Sequence, residues 1–218
     1  MNTTSESVKN LLFLTKNQKY DDELYGCLLK LIPLGKTVLV ITRSSASPEL
    51  LPLMEKAGMK VHKNKQSLQR LFFICCDNIE GVIKILFDLH KWANKPHIIV
   101  LDLHAFGCWE NEQNKYFAHE GYKAFSRGSL LKRFMLCFAV LFNNMNILNK
   151  VLADTVVDGD KKSLNIFSIV VLPKSSTLLT ASDVDLIIDM YYCNNTYEEF
   201  ADIFQLINST ATSDQAPD

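Results

Sequence analysis

Several short stretches of this 218-residue chain are apolar at consecutive positions rather than at alternate ones. They are residues 10–15 (NLLFLT), 37–42 (TVLVIT), 71–76 (LFFICC), 97–103 (HIIVLDL) and 167–172 (FSIVVL). A strand with one face in water alternates apolar and polar side chains, whereas a strand covered on both faces does not. Helical patterns separate these runs. Leu24, Cys27, Leu28 and Leu31 are spaced for a helix over 20–33, and a shorter one is expected over 48–57. Asn78 stands as the N-cap of a third, with Ile79, Val82, Ile83, Leu86 and Leu89 on one face. Strand and helix in alternation, with strands apolar throughout, predict an α/β fold with a mostly parallel sheet flanked by helices.

Further along, Leu131, Phe134, Phe138, Leu141, Met145, Leu148 and Leu152 predict a long helix. The competing reading ends that helix near Asn143 and makes 151–157 a strand. Residues 184–192 (VDLIIDMYY) are expected to form another strand, and 198–207 a final amphipathic helix. One domain over 9–207 is expected, with disordered polar ends at 1–8 and 208–218.

Apolar residues make up 48% and charged residues 22% of the chain, ordinary globular proportions that exclude wholesale disorder. The charge sum of −1 gives no global basic field, so any nucleic-acid contact must come from a local patch. From the polar residues 1–9 no secretory leader is expected, and the longest apolar run, 134–142, is short for a membrane span. A soluble protein without a membrane partner is expected. The six cysteines (27, 75, 76, 108, 137 and 193) show no C-x-x-C spacing. Those at 75, 76 and 137 are expected to act as small hydrophobes in a reducing compartment.

The sharpest chemical feature is Ile98-Ile99-Val100-Leu101-Asp102, an apolar strand ending in one carboxylate. In α/β sheets ligands bind beyond the carboxyl ends of the strands. A carboxylate there can hold the water shell of Mg²⁺, as the second acidic motif of phosphate-loop NTPases does. It can equally be a loop-starting cap that follows from topology alone. Such enzymes also need a glycine-rich loop, G-x-x-x-x-G-K-[ST], after the first strand. Here that place reads Thr15, Lys16, Asn17, Gln18, Lys19, Tyr20, Asp21, Asp22. It contains no glycine, its side chains would obstruct a tight loop, and its two acids would repel a triphosphate. The Gly35-Lys36-Thr37 triplet precedes the second strand and reads as a turn.

No other catalytic set emerges. The histidines at 62, 90, 97, 104 and 119 form no H-x-x-x-H pair, there is no G-x-S-x-G elbow, and His104 reads as a satisfied loop residue. After the fourth strand, Trp109, Tyr116, Phe117, Tyr122 and Phe125 are interleaved with basic residues. Lys115, Tyr122, Lys123, Arg127, Lys132 and Arg133 are candidates for contact with single-stranded DNA or with a partner protein. Packed aromatics beneath a solvated basic rim would give the same composition.

The order of these features resembles a RecA-type recombinase core over roughly 10–192, carried by TVLVITR (37–43), SLQRLFFICCD (67–77) and HIIVLDLHAF (97–106). The likeness is greatest to divergent recombinase paralogues, in particular the small ATPase-like partner of a SWIM-domain protein in Shu-type mediator complexes. Ile41-Thr42-Arg43 stands where recombinases place their catalytic acid, as in that paralogue. The resemblance implies a RecA-like core with a degenerate phosphate loop. It also implies a non-catalytic subunit, a pseudo-ATPase without a cofactor and with ATP and Mg²⁺ disfavoured. Its expected partners are a recombinase paralogue or SWIM-domain protein, the recombinase filament, and single-stranded DNA through the complex. Its place would be the nucleus, with the cytoplasm as the alternative. Two other readings stay open: a RecA-like subunit of a ring assembly such as the Elongator accessory complex, which acts on tRNA, and an atypical NTPase using Lys16 or Lys36 on phosphate. If Asp102 is buried, it should be found hydrogen-bonded, because an unpaired buried carboxylate costs several kcal/mol.

Overall fold

The computed structural model describes residues 8–16, 20–32, 35–43, 52, 54–55, 68–107, 127–155, 166–174 and 179–212. The first strand, β1 (Val8–Thr15), leads to α1 (Asp21–Leu31) and then to β2 (Val38–Arg43). Next come β3 (Leu71–Cys76), α2 (Ile79–Asp88), β4 (Ile98–Asp102) and the short α3 (His104–Gly107). The long α4 (Arg127–Thr155) precedes β5 (Ile166–Pro173), α5 (Ala181–Ile187), β6 (Thr196–Tyr197) and α6 (Phe200–Thr212). Of the helix expected over 48–57, residues 52, 54 and 55 are helical and the rest lies outside the described residues.

The six strands form one sheet in the order β3-β2-β4-β5-β1-β6, with every neighbouring pair parallel. Alternation along each strand sorts the core into two layers. Leu11, Phe13, Val38, Val40, Ile98, Val100, Ile169 and Val171 pack with α1 and α6. Leu12, Leu14, Leu39, Ile41, Ile99, Leu101, Val170 and Leu172 pack with α2, α4 and α5. The α/β class read from the consecutive apolar runs is therefore the observed one. Asn78 caps α2 as expected, its Oδ1 accepting a hydrogen bond from the Gly81 N–H at 2.8 Å.

The helix of the two readings for 129–157 is the one observed, since α4 continues through Thr155, while 156–157 lie outside the described residues. Its stretch Leu131–Val151 is long and apolar enough to cross a membrane by length and composition. Core packing accounts for much of that apolarity, because Phe134, Cys137, Phe138, Leu141, Met145 and Leu148 are buried against the sheet and α2.

Several expectations need correction. The strand expected over 184–192 is instead α5 followed by a π-helical turn at Ile188–Tyr192. Thr180 and Asp183 start this helix with a reciprocal capping box. Val184, Ile187 and Tyr192 then face inward while Asp185, Leu186, Asp189 and Met190 face out. The third strand is not covered on both faces, because β3 lies at the sheet edge, with Phe72 and Cys75 exposed. Cys75 is thus no core hydrophobe. Cys76 and Cys137 are buried, and desolvation pushes their thiols up to about 11 and about 12. The last helix runs past residue 207 to Thr212.

The π turn inserts Tyr192 into an aromatic cluster with Tyr191, Phe138 and Phe142, ring centroids 5.3 to 5.9 Å apart. The Tyr192 hydroxyl is buried without a hydrogen-bond partner among the described residues, and burial drives its pKa well above 10. An orphaned buried hydroxyl costs about 1–3 kcal/mol. Tyr192→Phe is therefore expected to raise the melting temperature, by about 2–4 °C for each kcal/mol recovered in a chain of this size. A fall in scanning calorimetry would mean that the hydroxyl is bonded.

Candidate functional site

The site follows from strand alternation. Asp102 shares the α1-facing side of β4 with Ile98 and Val100, and Thr42 ends β2 on the same side after Val38 and Val40. Because β2 and β4 are hydrogen-bonded neighbours, these two polar ends fall side by side. Tyr20, at the entry to α1, closes the group from above the sheet.

The Asp102 side chain is 0% exposed. The Tyr20 hydroxyl donates to both carboxylate oxygens, at 2.9 Å to Oδ1 and 3.0 Å to Oδ2. Thr42 Oγ1 donates to Oδ2 at 3.0 Å. Two hydroxyl donors converging from separate elements are what a buried carboxylate needs to offset its desolvation. The expectation that a buried Asp102 would be hydrogen-bonded is met, and the donors are now named. His104 stacks edge-on against Tyr20, centroids 4.6 Å apart, and burial holds its imidazole below the ordinary 6.5.

The place of the phosphate loop is built from different contacts. Thr15 is buried, with its hydroxyl donating to the Leu172 carbonyl at 3.3 Å. Lys16 is exposed and forms an ion pair with Glu198, whose other oxygen takes Lys174 Nζ at 2.5 Å. Hydrogen bonds from these two lysines hold the Glu198 carboxyl down at about 2. Asn17, Gln18 and Lys19 lie outside the described residues. The Tyr20 ring, buried, stands where the loop meets α1.

The structure brings together Asp102, Thr42 and the end of the loop position, but not the basic and aromatic set. Lys115, Tyr122 and Lys123 lie outside the described residues, as does the side chain of Arg127. Lys132 is exposed on α4, while Arg133 is held by Glu80 at 2.9 Å. Arg43 is buried at the end of β2. Lys36 lies ahead of β2, at the end of the parallel sheet opposite Asp102. An open depression of about 570 Å³ lies on the other face of the sheet from Asp102, lined by Cys75, Cys76, Asp77, Asn78, Lys84 and Trp92 among others. No cluster of three metal-ligating side chains occurs among the described residues. The phenol–carboxylate contact escaped the sequence, which showed only a bulky residue where glycine was required.

Tyr20→Phe is expected to lower unfolding stability by about 1–3 kcal/mol, because a buried acceptor loses its donor. An unchanged urea midpoint would show that the phenol does not hold Asp102. Acid should also destabilise the fold. His97 and His104 both lie below 6.5 when folded, so the unfolded chain takes up protons first as the pH falls through that value. Melting temperature is expected to drop between about pH 7 and pH 5, and less steeply in His104→Gln.

No protein-family model matches this chain, and no curated protein matches it in sequence. Among solved structures, the chain is similar to the crystal structure of the RadB recombinase, with 18% sequence identity and a TM-score of 0.41. The match covers 75% of this chain and 61% of that one.

Proposed function

We propose that this chain is a catalytically silent RecA-like subunit of a recombination-mediator complex. In this reading it binds a recombinase paralogue or a SWIM-domain partner in the nucleus. The complex then supports recombinase filaments on single-stranded DNA during homologous recombination. The partners follow from the resemblance carried by residues 37–43, 67–77 and 97–106.

The silence of the site rests on one observation, the Tyr20 hydroxyl placed across both oxygens of Asp102. A hydrated Mg²⁺ bound through this carboxylate would need the lone pairs that Tyr20 and Thr42 already engage. The same Thr42 stands where a recombinase would carry the acid that activates water. Upstream, the sequence over 15–22 holds no glycine, so a tight backbone cradle for phosphate is not expected there. Neither lysine of the NTPase reading favours that alternative. Lys16 is engaged in an exposed ion pair with Glu198, and Lys36 is a strand's length from Asp102.

Isothermal titration with ATP and Mg²⁺ is expected to give no saturable heat, with no phosphate release above background. Micromolar binding with turnover would overturn the pseudoenzyme reading. Affinity purification of the full chain is expected to bring down a recombinase paralogue or a SWIM-domain protein. Recovery of sister subunits of a tRNA-modifying ring in their place would overturn the recombination reading.

A further inference from the structure

The opposite end of the sheet holds a second group of polar residues. There β3, β2 and β4 enter side by side, and backbone hydrogen bonds fix their first residues in a row. Val38 N donates to the Arg70 carbonyl at 2.8 Å, and His97 N donates to the Thr37 carbonyl at 2.8 Å. Phe167 N in turn donates to the His97 carbonyl at 2.9 Å. Lys36, Arg70 and His97 are thereby carried on three adjoining strand entries, whose spacing in a sheet is about 4.8 Å.

The side chains continue the pattern. The Thr37 N–H donates to His97 Nδ1 at 3.1 Å. An accepting Nδ1 fixes the neutral tautomer, so the hydrogen is on Nε2. That N–H finds no acceptor among the described residues. The Arg70 guanidinium lies across Gly35, where one nitrogen would be only 3.0 Å from an added Cβ. Gly35 has φ +80°, so it serves both the turn and the berth of the arginine. Neither Lys36 nor Arg70 forms an ion pair among the described residues. Burial first, then the charges of Lys36 and Arg70, hold the His97 imidazole below 6.5. The neighbouring β5 brings the Phe167 N–H to the His97 carbonyl, and the Lys95 amine is bound to the carbonyls of His90 and Trp92. The result is three donors carried on adjoining strand entries, with no acceptor hydrogen-bonded to their side-chain nitrogens among the described residues.

We propose that Lys36, Arg70 and His97 form a binding site for a phosphate group at the amino end of the sheet. A tetrahedral oxyanion offers several acceptor oxygens at once. It can take the planar fork of an arginine, the point charge of a lysine and one imidazole N–H. Its charge relieves the repulsion among the three donors. The site lies away from Asp102 and stands whether or not the chain acts in recombination.

The test is an NMR titration of the His97 ring in the full chain. The two probes are inorganic phosphate and, separately, an unphosphorylated single-stranded thymidine oligonucleotide. Either probe is expected to shift the His97 ring resonances at a pH where the imidazole is neutral. A response to inorganic phosphate identifies a site for small phosphates, and a response to the oligonucleotide alone identifies a phosphodiester site. The exposed-residue variant Arg70→Gln should weaken binding about tenfold, the equivalent of one charge-assisted hydrogen bond, and Lys36→Ala with Arg70→Gln should weaken it further. A His97 ring unmoved by both probes would overturn the proposal. So would wild-type affinity in the double variant with its circular dichroism unchanged.

Discussion

A parallel sheet covered on both faces has nowhere to place a polar side chain in its middle unless that side chain brings its own partner. The few exceptions obey this rule. Ser168 donates to Asn10 at 2.6 Å on the adjacent strand, and Asn144 Nδ2 donates to the Val140 carbonyl at 2.9 Å within its own helix. All other chemistry is pushed to the two ends of the strands, where the ladder stops and loops begin. Asp102 and Thr42 mark one end, and Lys36, Arg70 and His97 mark the other.

At the carboxyl end, a buried carboxylate can be compensated by a cation, a metal with its water shell, or neutral donors. Here neutral donors from Tyr20, at the entry to the first helix, and Thr42, on the second strand, bond Asp102. The choice couples elements far apart in sequence, since Tyr20 and Asp102 are brought together across β1, β5 and β4. Ion pairs around Glu198 add a looser tie between the ends of β1 and β5 and the segment before α6. Being exposed, that tie contributes little to stability.

Most of the architecture was legible because consecutive apolar residues have one economical explanation, burial on both sides. The cap at Asn78 and the helical spacing after Ser129 were equally plain. Residues 184–192 misled, since a short run with apolar residues at several consecutive positions suits either a strand or a buried helix. The deciding signal was upstream, in the Thr180-x-x-Asp183 pair, a helix-start signature that periodicity within the run cannot reveal. The edge position of β3 was hidden for another reason. Composition reports how apolar a strand is, not which neighbour it lacks. The site was half visible. A carboxylate at a strand end and a missing phosphate loop could be read directly, but the pairing of Tyr20 with Asp102 is a contact across 82 positions of sequence.

The sixth strand has its own consequence. It meets β1 at only two positions, Leu12 with Thr196 and Phe13 with Tyr197. The chain reaches it from Asn194, whose φ of +65° turns the backbone sharply, and leaves it at once for α6. A stub this brief gives an approaching molecule too few free amide and carbonyl groups to align against. That margin of the protein is therefore a poor template for strand-to-strand zipping, and fibril growth should not propagate from it.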